Sequence, residues 1–508
     1  MKQLNKVALN SLALYINMII SMVMTLLGTR YVLEALGKND YGIYVLIANI
    51  VAMFSFLNVA MAASSQRYLS YAMGGQDFSD LKETFYNSFL IHGILAFAMC
   101  FVLYILGTFS IYNILELTVN DLPKAHSVLT CMVVGIFFTI LSVPYDAALN
   151  AREDIFLLAI INITEATLKL LSAIAILYIS SEKLIFYAIV ITSISFISLF
   201  CKWLLCRRYK ECKITFHRIK NYNLIKKMLS FAGWNLIGTG CSIARYQGAA
   251  VLLNIFFGII VNAAYGIAQQ LNGFLLFFAN STVRPMRPQI IKSEGAGAHE
   301  RMVSLSFSTS RISTLLLLLI IIPLHINMPY ILDIWLIEVP PHTIEFCRLF
   351  LWITLAFQVS IGLSVALEGV GKIKRQQLII GSMHIISLPI GFLLFYLGYE
   401  PQSILYCVLI EECLSTLLRA YIAERDAQVS MRTYIKSVFI PCSICTALTL
   451  IFASTPNYFL QLNPFTSLAL TTLISTITIT ILGYTVCLTK WEKQKIYTLV
   501  CSSFAKKL

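Results

Sequence analysis

The sequence predicts an all-α membrane protein of about fourteen transmembrane helices. It should form two parallel-related six-helix lobes followed by two extra C-terminal helices. Composition, apolar block length and a one-sided distribution of Lys and Arg carry that expectation. The chain has 508 residues, of which 58% are hydrophobic and only 12% charged; a soluble chain would carry roughly twice that charged share. Mean hydropathy is +0.78. The apolar residues fall in blocks near the ~20 residues that a hydrocarbon core of about 30 Å requires of a helix.

The first block has no charge from Val7 to Thr29. It is too long for the apolar core of a signal peptide and has no small-residue cleavage site, so it is expected to stay as the first span. With it, the spans are expected at 8–33, 41–70, 83–107, 124–150, 155–180, 183–206, 229–257, 262–288, 302–327, 344–370, 376–398, 402–424, 434–454 and 464–488. An even number of spans places both termini on one side. Arg30, Lys38, Lys124, Lys183 and Arg348 fall on the far side, and Lys169 and Arg245 fall inside spans. The other 31 of the 38 basic residues lie toward the side of the termini. Positive charge stays in the cytoplasm, so the N- and C-termini are expected inside.

The domain division follows from the loops and from a repeat. Residues 1–206 should form an N-terminal lobe, 207–228 a basic cytoplasmic linker, 229–424 a C-terminal lobe, and 425–508 two helices with a basic tail. LGKNDYGIY (36–44) and FGIIVNAAYGIA (257–268) both place a glycine and then Tyr-Gly-Ile between two spans. Both spans return to Gly-rich inner turns, at Gly74–Asp77 and Gly295–Gly297. Six spans separate the two hairpins, so they enter the membrane in the same direction, as parallel repeats around a central cavity do. The longest outer loops, 108–123 and 328–343, leave no length for an extramembrane catalytic domain.

Intramembrane ionisable residues are the first functional candidates. Arg245 stands in the middle of GCSIARYQGAAVLLNIFFG (240–258), with Ser242 and Tyr246 on the same helical face. A guanidinium there either binds an anion, which its planar fork suits, or is satisfied by a hidden carboxylate such as Glu165 or Glu412. Glu165 and Lys169 have the favourable i, i+4 order for an ion pair; either they neutralise each other or Lys169 meets substrate while Glu165 titrates. Glu412 shares a face with Arg419, whereas the adjacent Glu411 should point away from any groove that Glu412 faces. Glu368 and Asp146 sit near inner helix ends, and His384 and His92 stand singly in apolar helices. Glu165, Glu412 and Glu368 are the candidates for ion coupling or charge pairing. Pro144, Pro285, Pro288, Pro323 and Pro389 should bend or end helices.

The thirteen cysteines lie mostly in apolar blocks, and Cys442-x-x-Cys445 has no nearby His or Asp, so packing rather than metal or redox chemistry is expected. No disulfide is expected. No nucleophile–base set, phosphate-cradling glycine loop or metal-ligand spacing is present, so no enzyme activity, metal or cofactor is expected. The net charge of +13 borders the membrane and points to anionic phospholipids rather than nucleic acid.

TRYVLEALGKNDYGIY (29–44) resembles the first hairpin of bacterial polysaccharide flippases of the Wzx type. That family belongs to the superfamily that also holds the MATE drug exporters and the lipid II flippase. PYDAALNARED (144–154), GWNLIG (233–238), LLNIFFGIIVNAAYGIA (252–268), RPQIIKS (287–293), DIWLIEVPP (333–341) and ALEGVGKIKRQQ (366–377) extend the resemblance over most of the chain. It implies a two-lobed helical fold in the bacterial inner membrane and alternating access. It also implies a substrate of undecaprenyl pyrophosphate-linked oligosaccharide, moved from the cytoplasmic to the periplasmic leaflet through a cationic cavity. Arg245 and Lys169 match that cationic character, with Arg30 and Arg67 near opposite mouths. The polysaccharide polymerase machinery is the protein partner this implies. A MATE-like cation or drug antiporter is the nearest alternative, and a membrane-embedded polysaccharide polymerase or glycosyltransferase is the enzyme alternative. An antiporter of cations would want unpaired acids, and an enzyme would want acids or histidines on large outer loops.

Overall fold

The computed structural model describes residues 2–52, 55–75, 78–113, 119, 121–179, 182–213, 222–336, 339–459, 463–489 and 492–493. Among them the chain is helix after helix, with no strand. The helices are α1 (Lys2–Ala52), α2 (Ser55–Gly75), α3 (Phe78–Asn113), α4 (Leu122–Ala151), α5 (Ile155–Ala175), α6 (Lys183–Cys206), α7 (Tyr222–Val283) and α8 (Met286–Gly295). They continue as α9 (His299–Ile326), α10 (Met328–Trp335), α11 (Thr343–Val359), α12 (Ile361–Val370), α13 (Lys374–Tyr396) and α14 (Ser403–Ala427). The last are α15 (Met431–Tyr434), α16 (Ile440–Phe459) and α17 (Pro464–Leu482).

Among the described residues, nine helices are long and apolar enough to cross a membrane, or ten when α11 and α12 count as one span bent by 42°. The expected spans at 41–70, 229–257, 262–288 and 402–424 are not among them. One of them falls on α14, which carries Glu411, Glu412 and Arg419 in its middle.

α1 and α7 are each much longer than one membrane crossing, and each is broken at a single glycine. Gly37 has φ 74° and ψ 175°, and Gly258 has φ 80° and ψ −172°. That region of backbone space is open essentially to glycine alone. In both cases the break opens the repeated segment that continues to Tyr41-Gly42-Ile43 or Tyr265-Gly266-Ile267. The internal repeat therefore exists at the level of backbone torsion, not only of letters. Pro144, Pro323 and Pro389 lie within α4, α9 and α13, and Pro285 stands in the turn between α7 and α8.

The chain divides into two compact units within α7: residues 3–236 with Gly295–Gly297 make one, and 237–294 with 298–508 the other. In the first, Phe85, Leu129, Ile140 and Leu149 are fully enclosed, and Thr192 Oγ1 on α6 reaches across to the Cys131 carbonyl of α4 at 2.8 Å. In the second, Tyr265, Phe346, Phe350 and Tyr434 are the large enclosed side chains. Helices in lipid associate through such close packing and through interhelical hydrogen bonds, since burial from lipid brings no hydrophobic gain.

Two connections differ from the sequence expectation. α3 runs to Asn113 and α10 occupies Met328–Trp335, so helix fills part of what reads as outer loop. The described part of the expected linker, 207–213, is held by ion pairs. Glu211 pairs with Arg152, and Arg208 and Tyr209 both engage Asp154, fastening the segment to the turn between α4 and α5. Burial, with the Asp154 carboxylate accepting the hydroxyl, pushes the Tyr209 phenol up to about 12. Residues 214–221 and most of the basic tail beyond 490 lie outside the described residues. Glu492 is described: it caps its own turn through Thr489 (N···Oε2 2.7 Å) and pairs with Arg311 of α9 at 2.7 Å.

Candidate functional site

In the unit of residues 3–236, periodicity on two helices builds a cavity. Asn162, Glu165 and Lys169 recur at i, i+3 and i+7 on α5, and Ser21, Thr25 and Thr29 at i, i+4 and i+8 on α1. Past the Gly37 break, Tyr41 and Tyr44 join them, with Tyr187 from α6. Together they line a cavity of about 410 Å³. The rings of Tyr44 and Tyr187 lie 5.2 Å apart.

The charges in this cavity are unequal. Glu165 accepts from Lys169 Nζ through Oε1 at 2.7 Å and from Ser198 Oγ through Oε2 at 2.8 Å, so both its oxygens are engaged. The Lys169 side chain is 44% exposed against 25% for Glu165. An ammonium has three donors, and Glu165 occupies one. Asn162 makes no hydrogen bond among the described residues. The hydroxyls of Thr25 and Thr29 donate back to carbonyls four residues earlier, at 2.7 and 3.0 Å, which leaves their lone pairs for a ligand. The cavity thus offers an ammonium, a carboxamide, hydroxyls and aromatic faces. One helical turn beyond Ser198, Lys202 is buried and pairs with Asp146 at 2.9 Å, extending the polar track along α6.

The second unit holds a different arrangement. Arg245 on α7 is 3% exposed, and its Nη1 lies 2.5 Å from Glu411 Oε2 and 3.3 Å from Glu412 Oε2. Nη2 donates to the Tyr246 hydroxyl at 3.1 Å. Glu412, 1% exposed, also accepts from Arg419 at 2.7 Å. Arg419 in turn reaches Ser360 Oγ at 3.0 Å, at the bend between α11 and α12. His384 on α13 places Nδ1 2.9 Å from Glu411 Oε1 and 3.0 Å from Arg245 Nη1. Ser415 donates to the same Glu411 oxygen at 3.0 Å. His384, Glu411 and Glu412 offer three ligand atoms within 4.8 Å of one another. A guanidinium in contact with both carboxylates takes the place a cation would fill, so the set does not fit a metal.

Arg245 has carboxylate partners, the arrangement in which a buried arginine needs no substrate. The expectation that Glu411 and Glu412 cannot serve one groove is corrected: their Cα–Cβ directions diverge, but Arg245 enters between them and both carboxylates swing onto one Nη1. Glu165 is not that partner; it belongs to Lys169. Arg30 is exposed on α1. Arg67 is buried, with its guanidinium 4.5 Å from the Tyr68 ring centre and 5.2 Å from that of Phe231. Neither lines the cavity. Glu368 pairs with Arg287 at 3.6 Å. Cys442 and Cys445 are fully buried in helix packing.

The residues that sequence reasoning missed are Asn162, the three tyrosines and Lys202. Asn162 had a signal, because it stands three residues before Glu165 on the same helical face. For His384, a lone histidine in an apolar helix by sequence, the partners on α14 come only with the fold.

Residues 13–179 match the MatE family model. Among solved structures, a MATE protein in the bent conformation superposes with a TM-score of 0.75 at 11% identity, covering 85% of this chain and 97% of that one. The fold is that of the MATE transporters. A MATE protein in the straight conformation gives 0.73 at 12% identity, covering 84% and 96%. A transporter of the MOP superfamily from Pyrococcus furiosus, described as having a binding pocket of reversed polarity that suggests a different function, gives 0.71 at 11% identity, covering 85% and 96%. No curated protein matches the sequence.

Proposed function

We propose that the protein flips an undecaprenyl pyrophosphate-linked oligosaccharide from the cytoplasmic to the periplasmic leaflet of the bacterial inner membrane, by alternating access, for surface polysaccharide assembly. Membrane transport is the coarser reading that the MatE match and the MATE fold support. The flippase reading rests on the cavity beside Lys169. Its carboxylate is fully engaged, its ammonium is the open charge, and its wall is made of hydroxyls, a free carboxamide and tyrosine rings. That set suits a hydroxyl-rich, anionic head group and gives a cationic drug no uncompensated acid to meet. Substrate contact is accordingly placed at Lys169, Asn162 and the tyrosines, while Arg245 is a charge held by its own glutamates. The isoprenoid chain stays in lipid while the polar head occupies the cavity.

The test is genetic and chemical. Deleting the gene should make a lipid-linked oligosaccharide accumulate in the cytoplasmic leaflet, and Lys169→Ala should fail to relieve that accumulation while reaching the membrane in normal amount. An unchanged lipid-linked oligosaccharide pool in the deletion, with acquired sensitivity to cationic drugs, overturns the reading in favour of an antiporter.

A further inference from the structure

The walls of the cavity beside Lys169 differ in hydrogen-bonding sense. On α1, each hydroxyl of the row has already spent its proton. Ser21 donates to Asn17 Oδ1 at 3.1 Å, Thr25 to the Ser21 carbonyl at 2.7 Å and Thr29 to the Thr25 carbonyl at 3.0 Å. That row therefore offers a ligand lone pairs alone. On α5, Lys169 offers the N–H donors that Glu165 leaves free, and the Asn162 carboxamide can both donate and accept. Among the described residues lining the cavity, Lys169 is the one cation and Glu165 the one anion.

These two walls discriminate between the parts of a lipid-linked oligosaccharide. A pyrophosphate diester carries two negative charges and no proton, so its polar atoms are all acceptors. Against α1 it would set lone pairs beside lone pairs, and one ammonium already shared with a carboxylate cannot balance it. The planar arginine fork that holds phosphate bidentately is not among the described lining residues. A neutral sugar suits α1, where its hydroxyls can donate, but leaves the ammonium unused. A pyranose bearing one carboxylate meets both walls, hydroxyls toward α1 and carboxylate toward Lys169. Its C–H faces carry partial positive charge and suit the negative ring faces of Tyr44 and Tyr187, whose centres lie 5.2 Å apart. The volume of about 410 Å³ is at the small end of ligand pockets, about 300–1,000 Å³, room for part of an oligosaccharide and not the whole.

We infer that this cavity binds a carboxylate-bearing pyranose, a uronic acid unit of the oligosaccharide, and that the pyrophosphate lies outside it. The inference rests on the flippase reading for the origin of the ligand and adds the chemical class that the site selects. Lys169 donates to the sugar carboxylate, and Glu165, held from its other side by Ser198 Oγ at 2.8 Å, keeps the ammonium in place. The sugar hydroxyls donate to Thr25 and Thr29. No covalent bond is made or broken.

Ligand titrations of the purified protein in detergent solution test the assignment. The probes are the methyl glycosides of glucuronic and galacturonic acid, their neutral glucose and galactose counterparts, and inorganic pyrophosphate. At least one uronide should bind about tenfold more tightly than its neutral counterpart, the effect of one charge-assisted hydrogen bond. Lys169→Ala should erase that difference. Thr25→Val combined with Thr29→Val, which keeps the shape and removes the acceptors, should weaken acidic and neutral glycosides alike. Pyrophosphate should not displace the uronide. Equal wild-type affinities within both pairs, displacement by pyrophosphate, unchanged binding by the double valine variant, or no glycoside binding at all overturns the inference. The wild-type comparisons decide the matter even where a variant fails to fold. Accumulation of a lipid-linked oligosaccharide in the deletion strain does not depend on which sugar the cavity holds, so failure here is distinct from failure of the flippase reading.

Discussion

At the scale of single residues, the two ion-pair systems make opposite demands. Arg245 compensates two carboxylates that are almost wholly removed from solvent. Removing one member of such a pair leaves an uncompensated buried charge and costs about 3–5 kcal/mol. Arg245→Gln should therefore unfold in detergent at clearly lower temperature than wild type. Adding Glu411→Gln should recover part of that loss, because residues in one network couple non-additively. Thermal unfolding of the two single variants and the double variant measures this; strictly additive losses would mean that the two groups act separately. Lys169 is half-exposed in its cavity, where an i, i+4 pair contributes under ~1 kcal/mol. Lys169→Ala should keep the wild-type melting temperature while transport is lost. The contrast separates an arginine that holds helices together from a lysine proposed to face a ligand.

At the scale of elements, the break in each long helix is a property of glycine backbone, not of packing. A Cβ added at Gly37 or Gly258 meets nothing within 4 Å, so space is no obstacle to a side chain. The torsions are, at about 1–3 kcal/mol for a residue forced there. Gly37→Ala and Gly258→Ala should each destabilise by that amount and by similar margins. Gly93→Ala, in a helical stretch of α3 with equally open surroundings, should be neutral or stabilising by under ~1 kcal/mol. Comparing the three melting temperatures checks it, and a neutral Gly258→Ala would remove the second hinge. The same elements show what could be read from the letters. The repeat of glycine and Tyr-Gly-Ile was legible because it sits in turns, where residue type fixes backbone. The continuity of α1 and α7 was not, because a glycine between two apolar runs reads equally well as loop or as kink. The Glu165–Lys169 pair was legible from spacing within one helix. The convergence of Arg245, His384, Glu411 and Arg419 was not, since it needs α7, α13 and α14 side by side. Sequence gave the charges that had to be compensated but not the helices that would compensate them.

At the scale of the whole molecule, the remaining expectation is orientation. Helix packing within each unit is indifferent to which side faces the cytoplasm; only the charges outside the hydrocarbon decide. Those charges are lopsided, with five basic residues at one set of helix ends and 31 of 38 toward the other. The described inner segments show the basic residues tied down rather than trailing. Arg152 and Arg208 are bound to acids around the α4–α5 turn, Arg375 pairs with Asp426 at 2.5 Å, and Arg287 pairs with Glu368. Such pairs tie neighbouring segments to one another, and the net charge of +13 carries the expectation of anionic headgroups as partners, at about 1 kcal/mol for each basic residue near the surface. Retention of positive charge in the cytoplasm carries the expectation that both termini lie there. A green fluorescent protein fused after Leu508 should fluoresce, and an alkaline phosphatase fused at the same point should be inactive. The phosphatase should become active when fused after Asp121, at the start of α4. An active phosphatase at Leu508 would invert the molecule, and with it the leaflet from which the proposed flippase would take its substrate.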